Sequence, residues 1–216
     1  MVSAAATGRT QPPMTALQPL YTPDRDTVLD LGPCQLRRWR EGDQPSLLRH
    51  ANDAEVARWL RDGFPHPYTA ADADSWIEHA GVALAGKAFA IDVGGEAVGA
   101  VGLMPGDDIF ARAAEVGYWL GRAYWGRGLA PLSLTALSRY ATEQLGFLRL
   151  YAGVFAGNER SVRVLQKAGY QLESVRQAAI VKHGTVYDEA TWVVLAQSHP
   201  AVQGRKRWSS KEFHVG

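Results

Sequence analysis

A short glycine-containing stretch is the part of this sequence whose residue types and spacing best suit chemistry. It runs GRAYWGRGLAP and ends at Pro131. Glycines allow the backbone to approach another molecule closely, and a helix that begins at Pro131 offers main-chain N–H groups with no acceptor inside the helix. Such groups, at the positive end of the helix dipole, bind anions. The residues that we expect to hold an anion are Gly126, Arg127, Gly128, Leu129 and Ala130.

Several other kinds of site are disfavoured by the same sequence. Pro131 stands where a dinucleotide-binding loop needs its third glycine, and no Gly-Lys pair followed by Ser or Thr marks a P-loop. A Gly-x-Ser-x-Gly elbow is missing, and the six histidines include no His-Glu-x-x-His pair. Hydrolase and metalloenzyme functions therefore lose most of their support, and we expect no metal.

The elements on either side of the stretch predict a βαβ unit. AEVGYWLG, from Ala114, alternates its side chains as a strand does. From Pro131 apolar residues recur at helical spacing, and Gly146 is a typical C-terminal cap. LRLYAGVF, from Leu148, predicts a second strand. A strand, a crossover helix and a strand predict two parallel neighbours.

The residues before this unit predict a strand, three helices and a hairpin. CQLRRWR is the strand, Asp43 and Asp53 are candidate caps of two short helices, and a third helix begins near Thr69. Two apolar runs that meet at Gly94 and Gly95 predict antiparallel strands.

After the unit we expect a helix over residues 159–168 and two strands around His183 and Gly184. The fold class predicted from this order is α/β (α+β), with a mixed, mostly antiparallel sheet, one central parallel pair and flanking helices.

Composition places the chain among globular domains. Its 216 residues are 46% hydrophobic and carry a net charge of +1, so no global charge attracts DNA or an acidic membrane. The single cysteine, Cys34, predicts a buried thiol in a reducing compartment. The first residues lack a signal-peptide pattern and no long apolar run is present, so we expect a cytoplasmic protein without a membrane span. We expect a flexible extension over 1–29, one domain over 30–197 and a basic tail over 198–216.

Three stretches together resemble the GCN5-related N-acetyltransferase (GNAT) superfamily, and within it the type that acetylates ribosomal-protein N-termini. They are AEVGYWLGRAYWGRGLAP, FAGNERSVRVLQKAGYQLE and LRRWREGD with DGFPHPYT, and the resemblance covers residues 31–195. In the family loop, Gln or Arg is followed after two residues by Gly-x-Gly or Gly-x-Ala. Gly128 and Ala130 match this pattern, whereas Trp125 stands at its first position.

The resemblance implies that the bound anion is the diphosphate of acetyl-coenzyme A. It also implies a bulge that splays the strand containing Gly117 away from the next strand, and Gly117 itself weakens pairing there. The pantetheine arm would enter the gap and pair with the backbone of Trp119 and Leu120. Asn158 would bind the arm, and it is also a plausible helix N-cap.

Acetyl transfer to an amine needs a base, an oxyanion site and an acid. By resemblance the base is Glu115, and the alternative is an ordinary strand carboxylate that meets solvent or an arginine. The oxyanion would meet the N–H of Trp119 or Leu120. Many relatives take the acid from a tyrosine where this chain has Leu165, so the candidate acid is Ser161, as in relatives of this type.

The acceptor amine is expected between DGFPHPYT and the closing hairpin, where Asp188 and Glu189 either attract a cation or are solvated. We expect direct attack in a ternary complex. By resemblance we expect an N-acetyltransferase whose acceptor is a protein or peptide N-terminus. A small-molecule amine as acceptor and a non-catalytic acyl-coenzyme A sensor are the alternatives, and a homodimer also remains open. The tryptophans are interpreted as packing residues, namely Trp39, Trp59, Trp76 and Trp119.

Overall fold

The computed structural model describes residues 24, 26–82, 84 and 86–206. Most of the predicted N-terminal extension and residues 207–216 of the predicted tail lie outside this part of the chain. Among the described residues, no helix has the length and apolar character needed to cross a membrane.

Eight strands form one sheet in the order β1-β2-β3-β4-β5-β6-β8-β7. All neighbours are antiparallel except β5 and β6, which are parallel. This confirms the predicted fold class, to which the structure adds the short first strand. The strands are β1 (Leu29–Asp30), β2 (Gln35–Arg37), β3 (Ala88–Val93), β4 (Glu96–Pro105), β5 (Ala113–Leu120), β6 (Arg149–Phe155), β7 (Gln171–Lys182) and β8 (Thr185–Leu195).

Helices cover both faces of the sheet, which gives two hydrophobic clusters. Alternating side chains of β3, β4 and β5 enter one cluster with α4 and the other with α1 and α3. The helices are α1 (Gln44–His50), α2 (Ala54–Ala57), α3 (Ala70–Val82), α4 (Leu129–Arg139), α5 (Glu159–Lys167) and α6 (Pro200–Gln203). Helix α6 lies in the stretch assigned to the tail, and its Val202 is buried.

Local capping explains where the early helices begin. The carboxylate of Asp53 accepts the N–H of Glu55 at 2.9 Å, as predicted for a cap. Thr69 and Asp72 bond each other's main-chain N–H groups, so α3 begins as expected. Asp43 also precedes a helix, but its carboxylate is occupied by the buried guanidinium of Arg37 at 2.7 Å.

The β3–β4 hairpin turns at two glycines with positive φ, as the sequence predicted. The register of this pair shifts at Val98, which has no partner between Ala97 and Gly99. The pairing of β4 with β5, in contrast, is continuous past Gly117. The bulge expected at Gly117 is therefore absent from the β4–β5 ladder, and the irregularity lies in β4 instead.

The helix after the glycine stretch begins at Leu129, two residues before the predicted start. Gly128 is its N-cap with φ 76°, a conformation that side chains disfavour. The chain continues as a π-helical segment (Tyr140–Gln144) and turns at Gly146, which has φ 80°. Cys34 is buried as expected, and desolvation raises its pKa.

Candidate active site

The parallel pair opens into a gap at the centre of the sheet. Only three residues of each strand pair, 113–115 of β5 with 149–151 of β6. Beyond them β5 stays with β4 and β6 stays with β8, so the two strands diverge. A cavity of about 1320 Å³ fills the gap and extends to both faces. Single-ligand pockets are typically about 300–1,000 Å³, so this cavity has room for a large ligand and a second molecule.

The edge of β5 presents main-chain groups to this gap. Gly106 N–H donates to Ala113 C=O and Gly121 N–H donates to Val98 C=O, which fixes the hydrogen-bonding pairs of the ladder. Because antiparallel pairs alternate, the backbone of Trp119 bonds β4, whereas that of Tyr118 and Leu120 faces the gap. The Leu120 carbonyl accepts the indole N–H of Trp125 at 2.6 Å. Of the two amides expected to meet an oxyanion, the one on the gap side is that of Leu120.

One end of the cavity is formed by the start of α4. Gly126 and Gly128 both have positive φ, and the first-turn N–H groups of Leu129 and Ala130 have no acceptor within the helix. The loop is fixed from outside, because the Tyr124 hydroxyl donates to the carboxylate of Glu96 at 3.2 Å. This end can bind an anion through main-chain donors, as the sequence predicted.

The basic side chains at this end come from α5 rather than from the loop. Arg127 stacks its guanidinium on Tyr124, 4.8 Å from the ring centroid, and does not line the cavity. Three basic residues of α5 do line it, and the guanidinium of Arg160 lies 4.5 Å from the ring centroid of Trp125. The three basic residues are Arg160, Arg163 and Lys167, and their spacing in the sequence places them on one face of α5.

Two hydroxyl groups meet where α5 crosses β5. Asn158 caps α5 through its carboxamide oxygen, which accepts the N–H of Ser161 at 3.2 Å. The Ser161 hydroxyl lies 2.7 Å from the phenol oxygen of Tyr118, which also donates to the Ser161 carbonyl at 3.2 Å. Burial raises the pKa of Tyr118 to about 12, so the phenol keeps its proton near neutral pH. This pair can therefore donate a proton or a hydrogen bond into the cavity.

Glu115 lies on the other side of the sheet, where α2 and the following loop cover it. Its carboxylate is 2.5 Å from a guanidinium nitrogen of Arg61, and its side chain is 21% exposed. Arg61 is 68% exposed, so the pair is open to solvent and contributes little stability. Glu115 thus agrees with its interpretation as a catalytic base, because it lines the cavity, and with its interpretation as an ordinary carboxylate, because it pairs with an arginine.

Four aromatic side chains line the cavity on the Glu115 side of the sheet and form what we call the aromatic groove. Trp59 packs edge-on against Phe155 at 6.4 Å between ring centroids, and Phe64 packs against Trp119 at 5.6 Å. Three of the tryptophans interpreted as packing residues thus line the cavity as well as packing, namely Trp59, Trp76 and Trp119.

The two acidic residues expected to attract the acceptor already have partners. Asp188 accepts the N–H of Ala178 at 2.8 Å, and Glu189 pairs with Arg176. The loop opposite is held by the buried Lys182, whose ammonium group donates to the Leu60 carbonyl.

The structure brings nine of the ten predicted site residues to one cavity, and Arg127 is the exception. Sequence reasoning missed Tyr118, Arg61 and the basic face of α5. The spacing of Arg160, Arg163 and Lys167 was a usable signal, because residues three, four and seven apart share a helix face. Nothing in the sequence pairs Tyr118 with Ser161 or Arg61 with Glu115.

Comparison with known proteins identifies similar chains. Residues 34–171 match the family model described as acetyltransferase (GNAT) domain. The N-acetyltransferase YoaA of Bacillus subtilis, itself uncharacterized, is 34% identical over 84 residues, which are 39% of this chain. The matched stretch spans 48%, or about half, of that relative.

Two solved structures share the fold. The GNAT-family acetyltransferase from Bacillus anthracis superposes with a TM-score of 0.70 at 18% identity, over 79% of this chain and 99% of its own. RimL, a ribosomal L7/L12 alpha-N-protein acetyltransferase in complex with coenzyme A, superposes with a TM-score of 0.69 at 22% identity, over 78% and 98%.

Proposed function

This chain belongs to the acetyltransferase (GNAT) domain family, and from that premise we propose that it moves an acetyl group from acetyl-coenzyme A to a primary amine. The observation that carries the proposal is the gap between β5 and β6. It joins an anion-binding helix start to a carboxylate on the opposite face of the sheet through one cavity. An extended thioester can lie across the sheet in such a gap while an amine approaches from the other side.

The cosubstrate would be held mainly by main-chain groups. The diphosphate is received by the N–H groups of Leu129 and Ala130, and Gly126 and Gly128 let it approach the backbone. The basic face of α5 supplies positive charge beside these groups. The backbone of Tyr118 pairs with the pantetheine arm as an added strand does, since the Leu120 carbonyl already accepts the indole N–H of Trp125. Asn158 would use its side-chain N–H groups toward the arm, since its oxygen caps α5.

Each step of acetyl transfer then has a candidate group. Glu115 accepts a proton from the amine, directly or through water, and Arg61 must yield its place to the acceptor. The Leu120 N–H stabilises the tetrahedral oxyanion. Ser161, hydrogen-bonded to Tyr118, protonates the departing thiolate. The amine nitrogen gains the acetyl group in direct attack, so no acyl-enzyme is formed.

For the acceptor we propose a protein or peptide N-terminus. An α-amino group has a pKa near 8, against about 10.4 for lysine, so a solvent-accessible carboxylate is an adequate base for it. The fold similarity to RimL, whose described substrate is a ribosomal protein, agrees with this choice.

A thiol-release assay tests the proposal. Purified protein is mixed with acetyl-coenzyme A and one amine at a time, drawn from peptides, amino-acid amides, polyamines and aminoglycosides, and free coenzyme A is measured with a thiol reagent. We expect amine-dependent release. Tight binding of acetyl-coenzyme A by calorimetry with no release for any amine would instead identify a non-catalytic acyl-coenzyme A sensor.

A further inference from the structure

We infer that the acceptor carries a single amine next to a large apolar or aromatic group, and that the aromatic groove binds this group. The inference rests on the proposed function and names the class of acceptor. It applies equally to a peptide N-terminus with an aromatic first residue and to a small arylalkyl amine, since both present the same chemistry.

The position of the groove relative to Glu115 is the first argument. Glu115 and Trp119 share one face of β5, and Phe155 lies on the same face of the neighbouring strand. Trp59 and Phe64 belong to the segment that carries Arg61 and pack against Phe155 and Trp119, so the rings line the face of the sheet from which Glu115 projects. An amine that reaches Glu115 therefore places its nearest substituent among aromatic rings.

The floor of the groove is open because it is glycine. A Cβ added at Gly117 would meet only the terminal carbon of Met104, at 3.5 Å. Gly117 lies between Glu115 and Trp119 on the same face, so the space above it is continuous with the carboxylate. A side-chain group of the acceptor can occupy this space without displacing the protein.

The charges of the groove argue against a polycation. Among the described residues that line the cavity, Glu115 pairs with Arg61, Glu189 with Arg176 and Glu55 with Arg58. The fourth acidic residue, Asp72, accepts the N–H and the hydroxyl of Thr69. One ammonium group can replace Arg61 at Glu115. A polyamine or aminoglycoside would bring several more charges into a groove whose walls are apolar, and these would remain desolvated without partners.

Matched acceptors test the inference with the unaltered protein. The set is phenylalaninamide, glycinamide, the amide of Phe-Gly, phenethylamine, spermidine and kanamycin, each at a fixed acetyl-coenzyme A concentration. We expect kcat/KM for phenylalaninamide to exceed that for glycinamide by about tenfold or more. A higher kcat/KM for Phe-Gly amide than for phenethylamine would identify the acceptor as a peptide N-terminus. The reverse order would identify it as a small arylalkyl amine.

Two variants assign the effect to the groove. Trp59→Ala should lower the ratio of kcat/KM for phenylalaninamide to kcat/KM for glycinamide. Gly117→Ala should lower the same ratio because the added methyl group narrows the floor of the groove, and the fold accommodates it. Val175→Ala is the control, because Val175 is an exposed residue of β7 outside the cavity, and this variant should have the same ratio as the unaltered protein. Thermal unfolding verifies that each variant is folded.

The outcomes separate this inference from the proposed function. Faster turnover of spermidine or kanamycin than of phenylalaninamide, or a ratio near one, overturns the inference while the transferase proposal stands. A ratio that both folded groove variants leave unchanged also overturns it. An absence of turnover with every amine overturns the proposed function itself and the inference with it.

Discussion

The two ends of the cavity are built in different ways. The end at α4 consists of main-chain N–H groups and glycines from one short stretch, with Gly128 in a left-handed conformation. The end at Glu115 consists of side chains from β5, β6 and the loop after α2, which are far apart in the chain. The first end depends on backbone shape, and the second depends on how the sheet and loop pack together.

This difference predicts which substitutions each end tolerates. Side chains can change at the α4 end as long as the backbone can still adopt its conformation, because the donors are main-chain groups. At the Glu115 end, a change of one functional group removes the chemistry while the backbone stays as it is. Four predictions follow from the contrast, in order of expected size.

Glu115→Gln should reduce turnover by about 10²–10⁴-fold near neutral pH, as expected for loss of a general base. The loss should shrink above pH 8, because an α-amino group then deprotonates unaided. Affinity for acetyl-coenzyme A, measured by calorimetry, should stay the same because the carboxylate lies at the other end. Glu143→Gln, on the π-helical segment, is the control. A loss that does not vary with pH would remove Glu115 as the base.

Gly128→Ala should weaken acetyl-coenzyme A binding by about tenfold, because an alanine in the left-handed region costs about 1–2 kcal/mol. The substitution meets no atom within 4 Å, so the effect comes from the backbone alone. Gly42→Ala is the control, because an added Cβ there also meets no atom within 4 Å and Gly42 does not have a positive φ. This variant should bind acetyl-coenzyme A with normal affinity. Equal affinity of the two variants would show that the α4 end does not depend on this conformation.

Tyr118→Phe and Ser161→Ala should each lower kcat by about fivefold, the value of one hydrogen bond. The two hydroxyls lie 2.7 Å apart, so their effects should not add, and the double variant should resemble the more affected single one. The measurement is a double-mutant cycle, in which kcat is determined for the unaltered protein, the two single variants and the double variant. Multiplicative losses would mean that the hydroxyls act separately.

The smallest effect concerns stability at high pH. Burial raises the pKa of Tyr118 from 10 to about 12 in the folded protein, so between these values the unfolded chain ionises first and stability falls as pH rises. At pH 10.5 this amounts to about 1 kcal/mol. Urea unfolding of Tyr118→Phe should show a shallower decline above pH 10 than the unaltered protein. Parallel curves would indicate that solvent reaches the phenol.

Local signals explain what the sequence could predict. Asp53 and Thr69 were identified as helix starts because a cap needs only residues within one turn, and Gly94 and Gly95 because a hairpin needs only its turn. The α4 end was predictable for the same reason. Asp43 was misleading, because its carboxylate found Arg37, a partner that a cap rule does not consider.

The parts that sequence reasoning missed depend on distant segments. Arg61 and Glu115 are 54 residues apart, and Tyr118 and Ser161 are 43 apart. Which residue meets which follows from the angle at which β5 and β6 diverge and from the path of the loop after α2. Neither quantity is encoded in a short pattern, so Trp59 and Trp119 of the aromatic groove were each interpreted as packing residues.

The tether at Lys182 bears on the order in which the chain acquires its shape during synthesis. Its ammonium group holds the Leu60 carbonyl across 122 residues of chain, the longest such link described above. This contact with the loop that carries Arg61 therefore cannot form until the ribosome has produced the last hairpin. The segment from β4 to α4 is complete more than 40 residues earlier. A nascent chain would thus shape the α4 end of the cavity while the Glu115 end is still open.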